Sequence, residues 1–200
     1  SSFPGLGLAE SEDGIHWRRV SDSPVIPAGS AGVYDAAGVA GGDLVIEGDR
    51  WYLYYTGCPT DGSDGKSSHV KYILCAVSED GGHTWESMTE PVLSPDPSSD
   101  HENIGVATPR LSYRDGMWHM AYSAIGTRFH YYAICEAISP DRVQWSRPEQ
   151  NLVLTPTGDG WEAEMVEYPF ILREGNEERM WYCGNRFGDT GIGLATRKVT

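Results

Sequence analysis

Apolar and polar positions alternate along this chain in short runs, and glycines and prolines cut the runs before a helical period can establish itself. One run, built on aromatic residues, occurs three times: Trp51-Tyr-Leu-Tyr-Tyr-Thr-Gly57, Trp118-His-Met-Ala-Tyr-Ser-Ala124 and Met180-Trp-Tyr-Cys-Gly184. Its tryptophans are 67 and then 63 residues apart. A second run precedes each copy and ends in a polar turn: Leu44–Asp49, Arg110–Gly116 and Phe170–Gly175. Glycine in two of these turns and at Gly48 suits the positive φ of a hairpin connection. A third run follows, Tyr72–Ser78, Tyr132–Ser139 and Gly191–Thr196, and then a fourth element, Trp17…Ile26, Trp85…Leu93 and Trp145…Leu154. The pattern predicts a unit of four antiparallel strands.

Such a unit cannot bury both faces alone, and radial stacking of copies solves that problem. The expected fold is all-β: a β-propeller of four-stranded antiparallel blades, with a β-sandwich as the alternative. The expected divisions are 1–29 (the last strands of one blade), 30–95 (a blade), 96–155 (a blade) and 156–200 (the first three strands of a blade). The chain begins and ends on a third strand, so the ring is incomplete within it. Upstream sequence, or a second copy in a homo-oligomer, is expected to complete it.

Two motifs lie between the strands. The turn after the third strand reads Ser11-Glu-Asp-Gly-Ile-His-Trp17, Ser78-Glu-Asp-Gly-Gly-His-Thr-Trp85 and Ser139-Pro-Asp-Arg-Val-Gln-Trp145. The middle copy matches the Asp-box pattern, in which the serine and aspartate bond backbone amides and the tryptophan packs between sheets. The segment before the first strand aligns on a valine as Asp35…Val39-Ala40, Glu102…Val106-Ala107 and Glu162…Val166-Glu167. An acid present in every copy suits the scaffold, although contact with a ligand at the channel rim stays open for Asp35, Glu102 and Glu162. Glu167 occurs in one copy only. The repeat does not need it, which makes it the leading candidate for chemistry.

The formal net charge of −14 argues against nucleic acid and anionic membranes as partners and favours a neutral or cationic substrate. Eleven tyrosines and seven tryptophans fill strands first, and they also suit clefts that stack on sugar rings. No apolar run reaches the length of a membrane span and no signal peptide is visible, which leaves extracellular and cytoplasmic locations both open. The four cysteines lack metal spacing and read as buried thiols, a disulfide being the alternative. The six histidines lack ligand spacing too, so neither a catalytic metal nor a cofactor is expected.

The repeated Ser-x-Asp turns, the Trp-x-x-Tyr-Tyr strands and Glu167-Tyr168-Pro169 resemble those of the five-bladed propeller glycosidases: arabinanases, β-xylosidases, arabinofuranosidases, invertases and fructanases. The resemblance implies a glycoside hydrolase acting on an oligo- or polysaccharide. Glu167 would sit in the family's Glu-x-Pro motif as general acid, with a second carboxylate across the sugar. The family's base aspartate comes from a first blade that this chain does not match, and Ala40 and Ala107 stand where a tuning aspartate is expected. Around the mouth, Tyr34, Asp100, His101, Arg110, Trp161, Tyr168 and Arg186 are the candidate sugar contacts, with Asp35, Glu102 and Glu162. A non-catalytic carbohydrate-binding module, a sialidase-like protein and a glycoside phosphorylase are the alternative functions.

Overall fold

The computed structural model describes residues 4–60, 70–129 and 131–199. It divides into two compact units, Ser1–Leu93 and Ser94–Thr200. The first unit opens with an interrupted hairpin: β1 (Gly5–Leu6) pairs with β4 (Ile26–Pro27), and β2 (Ala9–Glu10) with β3 (Arg18–Arg19). A four-stranded antiparallel sheet follows, in the order β5 (Gly38–Glu47), β6 (Arg50–Cys58), β7 (Tyr72–Ser78), β8 (Glu86–Ser87).

The second unit holds a sheet of β9 (Gly105–Arg114), β10 (Met117–Ile125), β11 (Tyr132–Ser139) and β12 (Leu152–Leu154), again paired in sequence order. It also holds a three-stranded sheet of β13 (Glu167–Glu174), β14 (Glu177–Cys183) and β15 (Ile192–Lys198). The fold is all-β, and these sheets are propeller blades. The fourth strand of each full blade is shorter than the sequence pattern suggests. Beyond β8 it is held by the isolated bridge Ile73↔Leu93, and ahead of β12 by Ile138↔Ser146. The prolines in these stretches, Pro91 and Pro148, have no N–H to give to a ladder.

Burial concentrates in the inner part of each sheet. Tyr54, Tyr55, Ile73 and Leu74 are buried in the first full blade, and Met120, Tyr122 and Ile134 in the second. Ile134 of β11 packs with Val166, Met180 and Tyr182 to join the two sheets of the second unit. A closed ring of charges reinforces that junction: Arg114 bonds Glu136 (2.6 Å) and Glu178 (3.0 Å), while Arg197 bonds Glu178 (2.6 Å) and Glu136 (2.9 Å). Each carboxylate meets two guanidiniums, and Glu136 is held below the ordinary carboxylate range by those two partners despite the opposing effect of burial. All four cysteines are free thiols, three of them buried.

The three Ser-x-Asp turns share one set of bonds. Ser11, Ser78 and Ser139 each donate to the aspartate two residues on, at 3.0, 2.8 and 3.0 Å. Asp13, Asp80 and Asp141 accept from backbone amides further round the turn. Trp17, Trp85 and Trp145 each donate Nε1–H to the carbonyl three residues back. These bonds close the turns locally.

The acids in register form a second recurring contact. Tyr55, Tyr122 and Tyr182, each on the middle strand of its sheet, donate a phenolic hydroxyl to Asp35 (3.4 Å), Glu102 (2.8 Å) and Glu162 (2.6 Å), and the separation is 20 residues every time. The acid pins the segment ahead of the first strand onto the second strand. In the second full blade the contact is elaborated, since Arg147 Nε (2.8 Å) and Asn151 Nδ2 (2.6 Å) also donate to Glu102.

Replacing Tyr122 with Phe removes one donor from Glu102 and leaves Arg147 and Asn151 in place. We expect a loss of about 1–2 kcal/mol in denaturant unfolding, on the order of one buried hydrogen bond. Tyr182→Phe, at a more accessible acid, is expected to cost less than Tyr122→Phe. A larger loss at Tyr182 would contradict the burial order.

Candidate functional site

Glu167 is the first residue of β13, and its Cα partner on β14 is Cys183. Met165 and Val166 before it are buried at 3% and 0% exposure, and Glu167 itself is 0% exposed. The strand is then interrupted. The register of β13 against β14 shifts between Glu167 and Phe170, and Tyr168 takes a positive φ of 55°. Such a bulge re-aims the side chains beside it and leaves a backbone group without its ladder partner. Here the Tyr168 N–H donates to Ser123 Oγ of β10 (3.0 Å), and Ser123 Oγ lies 2.7 Å from Thr108 Oγ1 of β9. Thr108 is itself at φ 50° and stands, like Tyr168, immediately before a proline. A pair of hydroxyls on the neighbouring sheet thus fixes the backbone that presents Glu167.

The carboxyl is buried, and among the described residues nothing hydrogen-bonds either of its oxygens. Burial alone pushes its pKa from the ordinary carboxylate range up to about 8. The group is therefore protonated at neutral pH. A buried polar group without a partner costs the full loss of its hydration, and proteins keep such groups chiefly where they do chemistry. Its neighbours respond to it. The Cys183 thiol is raised by burial and then by the nearness of Glu167, and the Tyr168 phenol is raised to about 12 by the same two causes.

The structure sorts the other candidates. Asp35 and Glu102 are 0% and 1% exposed, and their oxygens are taken up within their own sheets. With Glu162 bonded to Tyr182, each of the three acids in register accepts from the tyrosine 20 residues on. Trp161 is stacked on Tyr182 at 5.7 Å, and glycines at 184 and 193 make room for its ring, so it packs on the third sheet. His101 is tied to Asn151 (3.0 Å) and Ser99 (3.1 Å), with the largely exposed Asp100 at 3.5 Å. Arg110 lies over the Phe170 ring at 5.2 Å. Tyr34 is in the first unit, edge-on to Tyr72 and donating to Glu90 (3.0 Å).

Near Glu167 the structure brings together Tyr168, 42% exposed, and the β14–β15 connection that carries Arg186. Sequence reasoning missed Ser123, Thr108, Cys183 and Phe187. Extending the Phe170–Trp181 pairing back along the hairpin would put Glu167 opposite Gly184, and the bulge moves its partner to Cys183. The hydroxyl pair carries no sequence signal, since it depends on a contact between sheets. Among the described residues, no group of three or more His, Cys, Asp or Glu is placed to hold a metal ion.

Residues 7–192 match the Glycosyl hydrolases family 32 N-terminal domain. The chain belongs to that family. Among its relatives, an uncharacterised protein of Mycobacterium tuberculosis is 26% identical over 95% of this chain and 60% of its own length. A 1,2-beta-oligomannan phosphorylase of Thermoanaerobacter is 27% identical over 84% of this chain and 60% of its own length. Among solved structures, the sucrose-6-phosphate hydrolase of Lactobacillus gasseri has a TM-score of 0.69 at 16% identity, covering 93% of this chain and 40% of that one. This family 32 domain therefore spans about 60% of the length of those two relatives.

The raised Glu167 pKa predicts a pH effect of definite sign. The folded group holds its proton up to about pH 8, whereas the unfolded carboxyl releases it near 4.5. Between those values the folded state binds more protons, so stability falls as pH rises through that window and levels off above it. Glu167→Gln removes the effect. Denaturant unfolding should show wild type and variant diverging from pH 4 to pH 8, with the variant the more stable at pH 8 by on the order of a few kcal/mol. Parallel pH profiles would mean that the carboxyl is solvated.

Proposed function

We propose that this domain supplies the proton donor of an enzyme that cleaves glycosidic bonds, with Glu167 as general acid. One observation carries the reading: a fully buried carboxyl at the head of a strand, held by a bulge, unpartnered among the described residues and protonated at neutral pH. Cleavage of a sugar–oxygen bond needs a proton delivered to the leaving oxygen as the bond breaks, and a carboxyl with a raised pKa holds that proton ready. The net charge of −14 favours a neutral sugar over an anionic one.

The attacking group on the opposite face of the sugar distinguishes two reactions. In hydrolysis it is water or a second carboxylate. In phosphorolysis it is inorganic phosphate, whose oxygen forms the new bond to the anomeric carbon. The structural relatives named as hydrolases favour the first. The sequence relatives named 1,2-beta-oligomannan phosphorylase and beta-1,2-mannobiose phosphorylase, 27% and 28% identical, favour the second. Glu167 has the same role in both, so the assignment of the acid does not depend on the choice.

The test uses the full-length protein, a panel of β-1,2-mannobiose, longer β-1,2-oligomannans and sucrose, and assays with and without inorganic phosphate. Glu167→Gln should lower kcat about 10²- to 10⁴-fold, the usual worth of a positioned general acid. Unchanged turnover would remove Glu167 from the role. Release of a sugar 1-phosphate that requires added phosphate identifies phosphorolysis, and phosphate-independent release of free sugar identifies hydrolysis.

A further inference from the structure

The β14–β15 connection has an unusual backbone. Arg186 (φ 54°) and Phe187 (φ 62°) are consecutive left-handed residues, followed by Gly188 at φ 93°. Left-handed positions favour Gly, Asn and Asp, and a bulky aromatic ring is an outlier there. The connection is nonetheless firmly anchored. Asn185, 9% exposed, accepts through Oδ1 from the backbone N–H groups of Glu164 (2.8 Å) and Met165 (3.2 Å). Thr190 Oγ1 donates to the Trp161 carbonyl (2.6 Å). A side chain at Gly188 would meet Cys183 Sγ at 3.0 Å. Asn185 thus grips the segment leading into Glu167, and Gly188 packs on the residue paired with it.

These anchors hold Phe187 outward, 62% exposed. Its ring stands edge-on to Tyr132 at 6.5 Å, and the Tyr132 carbonyl accepts from the Val166 N–H (3.0 Å), one residue before Glu167. The ring therefore lies at the Glu167 end of the sheet. An exposed ring on a strained backbone adds little to folding, and strained positions of this kind gather at ligand-binding sites. The C–H face of a sugar ring is a surface that would cover it.

We propose that Phe187 is a stacking platform for a sugar ring of a neutral oligosaccharide, next to the bond that Glu167 acts on, and so determines specificity. The proposal rests on the glycosidic reading given above. The strained turn is the device that keeps the ring facing outward, and Asn185 locks the turn to the same segment that delivers the acid.

The experiment compares Phe187→Asn and Phe187→Tyr with wild type in the full-length protein. Asn tolerates the left-handed backbone and removes the platform, whereas Tyr keeps it. For the panel sugar cleaved fastest, Phe187→Asn should raise KM about five- to tenfold, the worth of one aromatic contact, with kcat changed less than KM. Its melting temperature should equal or exceed that of wild type, and Phe187→Tyr should restore KM. An unchanged KM overturns the proposal, as does a KM increase accompanied by a large fall in melting temperature, because either makes the ring structural.

Calorimetric titration of the same sugar into Glu167→Gln and into Glu167→Gln/Phe187→Asn separates this proposal from the assignment of the acid. Weaker binding by the double variant supports the platform whatever Glu167 does, and equal binding overturns it. If no panel sugar is turned over, titration of β-1,2-mannobiose and sucrose into wild type and Phe187→Asn decides. Binding that needs Phe187 supports the proposal, and no binding, or binding indifferent to Phe187, overturns it.

Discussion

The hydrogen bond from a middle-strand tyrosine to an acid 20 residues earlier is the constraint on which the rest of each sheet depends. It fixes where the chain crosses the end of its own sheet before the first strand begins. With that crossing fixed, the valine four residues after the acid enters the core: Val39, Val106 and Val166 are 1%, 0% and 0% exposed. The next residue is then delivered to the same place in every copy. In two copies it is an alanine, Ala40 or Ala107; in the third it is Glu167. The acid bonded to its tyrosine is what positions the residue five places on.

The bulge adds a second constraint. A one-residue slip in a strand turns every side chain to the opposite face. The shift after Glu167 lets the start of β13 obey one register and its remainder another. Ile171 then faces the core shared with Met180, while Phe170 and Leu172 are exposed on the other face. The bond from Tyr168 N–H to Ser123 ties that irregularity to the neighbouring sheet, so the position of Glu167 is set by two sheets jointly.

Much of this was legible in the chain. The strand runs, the hairpin turns and the Ser-x-Asp turns are local patterns, and local bonds enforce them. Glu167 could be singled out because it breaks a repeat, a property of sequence alone. The roles of Asp35, Glu102 and Trp161 were less legible. A carboxylate or an indole near a channel mouth reads the same whether it faces a ligand or a tyrosine, and only the contact distinguishes them. Phe187 escaped notice for a related reason, since nothing in Asn185-Arg-Phe-Gly188 announces a left-handed backbone before the anchors are known.

The ring formed by Arg114, Glu136, Arg197 and Glu178 has a bearing on how this protein can change over evolutionary time. Every member is shared by two others, so losing any one strands its neighbours in a poorly hydrated seam. Four apolar residues of suitable volume could fill the seam as well, yet each single step toward them passes through a misfit. Descendants of this sequence should therefore keep all four or exchange them as a set, and a homologue with an intermediate combination should carry a compensating change beside it.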